Sequence, residues 1–188
     1  MTEIIIGAGA SGLACAIRLK QNMPNDDVIL LERLDTLGKK ILATGNGRCN
    51  LSNEHAKHYR EVINFFNNIG LKTKSDSEGR IYPYSNQAAT VRDMLEKECI
   101  RLGVQIITDC TVKSVDRDLI VSTDCGMFYA DSVIIAAGGM AQSSLGSNGS
   151  GYEILKNLGH RITPGRQDHR KADDAERQVD VVLLRAAQ

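Results

Sequence analysis

Glu3-Ile4-Ile5-Ile6-Gly7-Ala8-Gly9-Ala10-Ser11-Gly12 is the stretch whose reading decides the fold. The apolar run before Gly7 predicts a buried strand and Leu13 to Asn22 the helix after it, so the glycines fall on a strand-to-helix turn. Gly7 permits the tight turn, Gly9 lets backbone approach a pyrophosphate, and Gly12 lets the helix pack closely on the strand. Around Ala8 and Ser11 the exposed amides and the helix dipole face phosphate oxygens. Val28-Ile29-Leu30-Leu31 predicts a second parallel strand ending in Glu32, whose carboxylate accepts hydrogen bonds from the hydroxyls of an adenosine ribose. A 2′-phosphate would meet a like charge there, which disfavours NADP as the tightly held ligand. The competing reading is a packed glycine turn with nothing bound.

The chain has 188 residues, enough for one domain with a sizeable core or for one domain and a fragment of another. Its 23 Lys and Arg balance its 23 Asp and Glu, which gives no electrostatic reason to expect a nucleic-acid partner. No apolar segment reaches the length of a membrane span and no basic leader precedes the first strand, so a cytoplasmic location is expected. The cysteines, Cys15, Cys49, Cys99, Cys110 and Cys125, form no CxxC pair and are expected to be reduced, packed thiols. No histidine and carboxylate pair has metal-ligand spacing, so no metal is expected, and no GxSxG elbow supports a hydrolase.

Arg33 to Asn53 departs from a simple nicotinamide-binding repeat, because it is long, glycine-rich and polar. Its core, Gly38-Lys39-Lys40-Ile41-Leu42-Ala43-Thr44-Gly45-Asn46-Gly47-Arg48-Cys49-Asn50, mixes glycines, cations and amides in a way that suits a phosphorylated heteroaromatic ligand. It is no Walker loop: Arg33 stands where the first glycine belongs, and Lys40 where the magnesium-binding hydroxyl belongs. Downstream, His55 to Asn68 has helical spacing, Leu71 to Tyr84 reads as a strand pair, and Gln87 to Leu102 as an amphipathic helix. Val104 to Thr108 is a third core strand. Val112 to Val115, Leu119 to Thr123 and Met127 to Tyr129 read as an antiparallel meander. A buried strand returns at Ser132 to Ala136 and ends in small residues, Ala137-Gly138-Gly139, beneath which backbone passes a ligand.

These motifs resemble the HI0933-like, or BaiN-like, flavoprotein family of NAD(P)/FAD-dependent oxidoreductases. The likeness rests on Gly7 to Gly12, Glu32-Arg33, Gly38-Lys39-Lys40, Ala43 to Asn53, Gly79-Arg80 with Pro83, Ile134 to Gly139, Gly146 to Tyr152 and Leu158 to Ile162. The resemblance implies a doubly wound α/β FAD-binding domain, Rossmann-like, with a three-stranded meander. It places the pyrophosphate on Gly7, Ala8, Gly9, Ser11 and Gly12, and the ribose on Glu32. Arg33 and Lys40 would flank adenosine and phosphates, Thr44, Gly45, Asn46 and Asn50 the flavin half, Val112 the adenine, and Ala137 and Gly138 would lie under the cofactor. A small-molecule substrate is implied, with NAD(P)H as a transient reductant, since no second glycine fingerprint exists. No catalytic acid or base is identified.

Family members need roughly twice this length. Residues 1–164 read as the N-terminal portion of the FAD domain, and 165–188 as a charged tail unlike the family, disordered or helical, after a truncation. The missing return segment is expected to leave a sheet edge open and to weaken FAD retention. By the resemblance, many family members have Asp where Ser150 stands. Cys49 reads as a packed thiol beside a conceivable redox role, and His160 as a cation closing a helix end. Arg48 is a charge for flavin or a scaffold partner, while Tyr82 and Tyr84 line a pocket or pack beside Pro83. The alternatives are a non-catalytic adenine-dinucleotide-binding remnant and an NAD-binding dehydrogenase domain.

Overall fold

The structure, a computed structural model, describes residues 1–163 and 182–185. Its frame begins with β1 (Thr2–Ile6), α1 (Ala10–Asn22) and β2 (Asp27–Leu31). After a long connection holding α2 (Lys39–Ala43), β3 (Ser52–Asn53), α3 (Tyr59–Asn68), β4 (Thr73–Ser75) and β5 (Arg80–Pro83), the chain enters α4 (Ala88–Arg101) and β6 (Gln105–Ile107). The meander β7 (Val112–Val115), β8 (Ile120–Thr123) and β9 (Met127–Tyr129) leads into β10 (Ser132–Ile135) and α5 (Ser150–Asn157), and β11 (Val182–Arg185) is the last described element.

The main sheet has the order β11-β10-β1-β2-β6, with β10, β1, β2 and β6 mutually parallel. Period-two alternation sends Ile5, Val28, Leu30 and Ile134 to one face, where they meet Leu13, Ala16 and Ile17 of α1 and Val91, Leu95 and Cys99 of α4. Ile4, Ile6, Val133 and Ile135 point to the other face, against Val115 and Val121 of the meander and Ile154 and Leu155 of α5. Both faces of β1 are therefore covered, which is why it reads as an unbroken apolar run. The chain moves from β1 to β2 on one side, and β10 returns on the other side of β1. Their carboxyl ends form the switch point at which doubly wound sheets bind ligands.

Three observations differ from the sequence expectations. The strand pair of 71–84 gains a third member, β3, in a small sheet of order β3-β5-β4. The 33–53 connection is not open loop: α2 and a 3-10 turn at Thr44–Gly47 compact it, with Gly38, Gly45, Asn46, Gly47 and Cys49 all at positive φ. A sheet edge is expected to lie open, but the one beside β10 carries β11, which pairs with it antiparallel, Ile134 opposite Leu183. Val182–Arg185 are strand; the expectation of a disordered or helical tail otherwise falls on 165–181 and 186–188, which lie outside the described residues.

Glu3, at the start of β1, is buried, and this desolvation pushes its carboxyl above the ordinary 4.5, with Arg185 pulling the other way. The folded form holds this proton to higher pH than the unfolded form, so stability falls as pH rises past that ordinary value. Glu3→Gln should raise the melting temperature at neutral pH, and the gain should vanish in acid, where both states are protonated; thermal melts across pH check it.

Candidate functional site

β1 ends at Ile6, and the next residues carry no side chains where the backbone is most crowded. Gly7 has φ +102, and a Cβ there would lie 2.7 Å from the Ala136 carbonyl oxygen at the end of β10. On Gly12 a Cβ would come within 1.9 Å of the Gly7 carbonyl oxygen. Both glycines are thus packing requirements of the turn. Gly9 differs: a Cβ built on it meets nothing within 4 Å, so the space it leaves is open. It is the N-cap of α1, with no side-chain cap and no acidic residue in the first turn, which leaves helix amides free for an anion.

Glu32 closes the other wall. Its Oε2 accepts a hydrogen bond from the Ala8 amide at 2.8 Å and its Oε1 one from the Leu34 amide at 3.0 Å. A carboxylate offers about four acceptor positions, so capacity remains for a ligand's hydroxyls. The Glu32 carbonyl accepts from the Cys110 amide at 2.9 Å, which ties this acid to the start of the meander. Arg33 Nη2 donates to the Gly146 carbonyl at 3.1 Å, and Lys40 Nζ donates to Ser147 Oγ. Ser147 is buried and sits where a side chain on Gly138 would be, its Oγ 2.6 Å from that Cβ position.

These groups surround one cavity of about 590 Å³, within the range of small-molecule and cofactor sites. Gly7, Gly9, Ser11, Glu32, Arg33, Lys40, Thr44, Asn50, Val112, Ala137 and Gly138 line it. Ala8 and Gly12 stand behind the lining, Ala8 through its amide on Glu32 and Gly12 under the turn. Gly45 and Asn46 are outside it, on the 3-10 turn, where Asn46 is exposed. Arg33, Lys39 and Lys40 against Glu32 make the charged lining cationic, suited to a diphosphate. Away from the glycine turn the wall is apolar, with Ile41, Leu51, Phe65, Phe66 and Val91. Asn50 Oδ1 is buried there without a hydrogen-bond partner, an acceptor awaiting a donor.

Sequence reasoning missed Ser147, Gly146 and Asn148, which also line the cavity. Their signal was the glycine-rich turn before α5, where Asn148 Oδ1 accepts the Ser150 amide at 3.2 Å. The expectation of five reduced thiols is corrected: Cys110 and Cys125 form a disulfide, brought together because the meander folds residues 15 apart onto each other. Cys49 is buried and lines the cavity, and burial pushes the Cys99 thiol up to about 12. Arg48 stacks on the Tyr82 ring at 4.5 Å, outside the cavity, and Tyr84 is exposed. The end of α5 is closed by backbone, since the Gly159 and His160 amides donate to the Lys156 and Leu155 carbonyls. No helix among the described residues is long and apolar enough to cross a membrane.

The sequence profile described as HI0933-like protein Rossmann domain matches residues 1–60 and 57–165. Over 182 residues the chain is 42% identical to the 3-dehydro-bile acid delta(4,6)-reductase of Clostridium scindens, a match covering 85% of this chain and 44% of that protein. It is 26% identical over 190 residues to the ribosomal RNA dihydrouridine synthase of Haemophilus influenzae, covering 87% of this chain and 47% of the relative. Among solved structures, Thermovibrio ammonificans THI4 shares the fold with a TM-score of 0.62 at 15% identity, over 85% of this chain and 63% of that one. The chain thus spans less than half the length of these curated relatives.

The two glycine environments predict opposite outcomes. Gly12→Ala should destabilise by about 1–3 kcal/mol through overpacking, whereas Gly9→Ala should cost under about 1 kcal/mol, an N-cap effect alone. Urea unfolding of both variants checks this.

Proposed function

The chain belongs to the HI0933-like family, and we propose that it is the FAD-binding portion of an oxidoreductase that saturates a carbon–carbon double bond conjugated to a carbonyl. One observation carries the cofactor assignment: a single cavity joins a ribose-type acid, open backbone at a helix N-terminus, a group of cations and an apolar wall. That set of chemistries suits adenosine, diphosphate and a flat ring.

The residues present fit the group. Glu32 would hold the adenosine ribose with its remaining acceptor capacity, beside Val112 for the adenine. Gly9 leaves the volume that a phosphate oxygen needs, the amides around Ser11 supply donors, and Lys40 supplies charge. At the apolar end, the unpartnered Asn50 Oδ1 would accept a ring N–H, and Thr44 would stand beside it. Bound FAD would supply two-electron chemistry, taking hydride from a reduced nicotinamide and delivering it to the acceptor. The chain's own work is to bind, to orient and to keep water from the ring with Ile41, Leu51, Phe65 and Phe66.

The acceptor class is supported by the relatives' names, since a delta(4,6)-reductase and a dihydrouridine synthase both saturate carbon–carbon double bonds. A small-molecule acceptor is favoured over RNA, because the higher identity is to the bile acid enzyme and the chain carries no net charge. A cytoplasmic location and a domain boundary after residue 164 belong to the same proposal.

Titration with FAD and with FMN, followed by calorimetry, tests the assignment. FAD should bind and FMN, which lacks the adenosine, should bind much more weakly. Glu32→Gln should weaken FAD by about 10- to 100-fold, the worth of hydrogen bonds to a charged acceptor. Absence of any FAD binding by the folded chain would end the reading.

A further inference from the structure

Cys110 and Cys125 are the one disulfide among the described residues, and their position joins them to the cavity. Cys110 is 1% exposed and lines the cavity with Thr111 and Val112, whereas Cys125 is exposed on the turn between β8 and β9. The Cys110 amide holds the Glu32 carbonyl, and the Glu32 carboxylate holds the Ala8 amide of the glycine turn. Covalent closure at Cys125 therefore reaches the acid that faces the ligand through two short links. A second tie runs alongside: the Thr111 amide donates to Asp124 Oδ1 at 2.8 Å, and the Asp124 amide to the Thr111 carbonyl at 3.2 Å.

We propose that Cys110 and Cys125 are a thiol–disulfide modification site for a dithiol reductant, and that the bonded state firms the adenosine end of the cavity. The inference rests on the cofactor reading above. Solvent access selects the point of attack. One thiolate of the dithiol bonds to the Cys125 sulfur as the Cys110–Cys125 bond breaks, and Cys110 departs and takes up a proton. The dithiol's second thiol then displaces Cys125, leaving two cysteine thiols while the dithiol departs as its own disulfide, having given up two electrons. With the bond gone, the meander turn keeps the Thr111–Asp124 hydrogen bonds and the β7–β8 ladder that starts at Val112 and Thr123, but loses its covalent tie to the cavity wall. A ligand must then order Thr111, Val112 and the Glu32 carbonyl link for itself, which lowers affinity without removing the site. The pair stands apart from Cys99, which is buried against α1.

The test uses the full chain with AMP, which engages only the adenosine end. Alkylation of the denatured, unreduced protein should label three of the five cysteines, and five after dithiothreitol. AMP affinity should fall by about three- to tenfold on reduction, the cost of ordering a few side chains. Cys125→Ser, outside the cavity lining, should bind AMP like the reduced form and ignore dithiothreitol. Five labelled cysteines before reduction, or equal AMP affinity in the two states, overturns the proposal and leaves the cofactor reading standing. AMP bound in neither state removes both.

Discussion

Where β1 gives way to α1, three pieces of backbone meet with nothing between them. The Gly7 amide donates to the Leu31 carbonyl, the Ala136 backbone presses on Gly7, and Gly12 sits directly over the Gly7 carbonyl. These contacts hold β1, β2, β10 and α1 in one arrangement, and any Cβ at Gly7 or Gly12 would wedge them apart. The cavity inherits its shape from that junction. Its floor is the carboxyl ends of β1 and β10, one wall is Glu32 from β2, and its cap is the start of α1. Even the cations depend on it, since Arg33 and Lys40 are held by the loop that follows β10.

The frame was legible because it rests on local signals. A strand buried on both faces writes an unbroken apolar run, and Ile4, Ile5 and Ile6 display it; a glycine at φ +102 that meets a neighbour's backbone tolerates no other residue. The meander could be read from its turns. Glu32 could be placed because the second strand has a fixed length, and the structure adds that its carboxylate also staples the turn through the Ala8 amide.

What stayed hidden depends on contacts between residues distant in the chain. Ser147 looks like any turn serine until Gly138 leaves room for its hydroxyl beside Lys40. The Cys110–Cys125 pair has no spacing motif, because the meander's pairing, not local sequence, sets the 5.8 Å between their Cα atoms. Asn46 carries the same composition cue as Asn50, but the run of left-handed residues turns Asn46 to solvent and Asn50 to the cavity. β11 could not be foreseen from a charged tail, since what recruits it is the exposed flank of β10.

The pairing of Ile5 with Ile134 joins residues 129 positions apart. Contacts of such separation form late, because a long stretch of polymer must be closed before they repay anything. During synthesis the glycine turn of β1 and α1 emerges before β10, and has no floor until β10 pairs beside it. A nucleotide arriving early would find half a cup. A ligand bound across the crevice would favour the sheet with β10 docked beside β1.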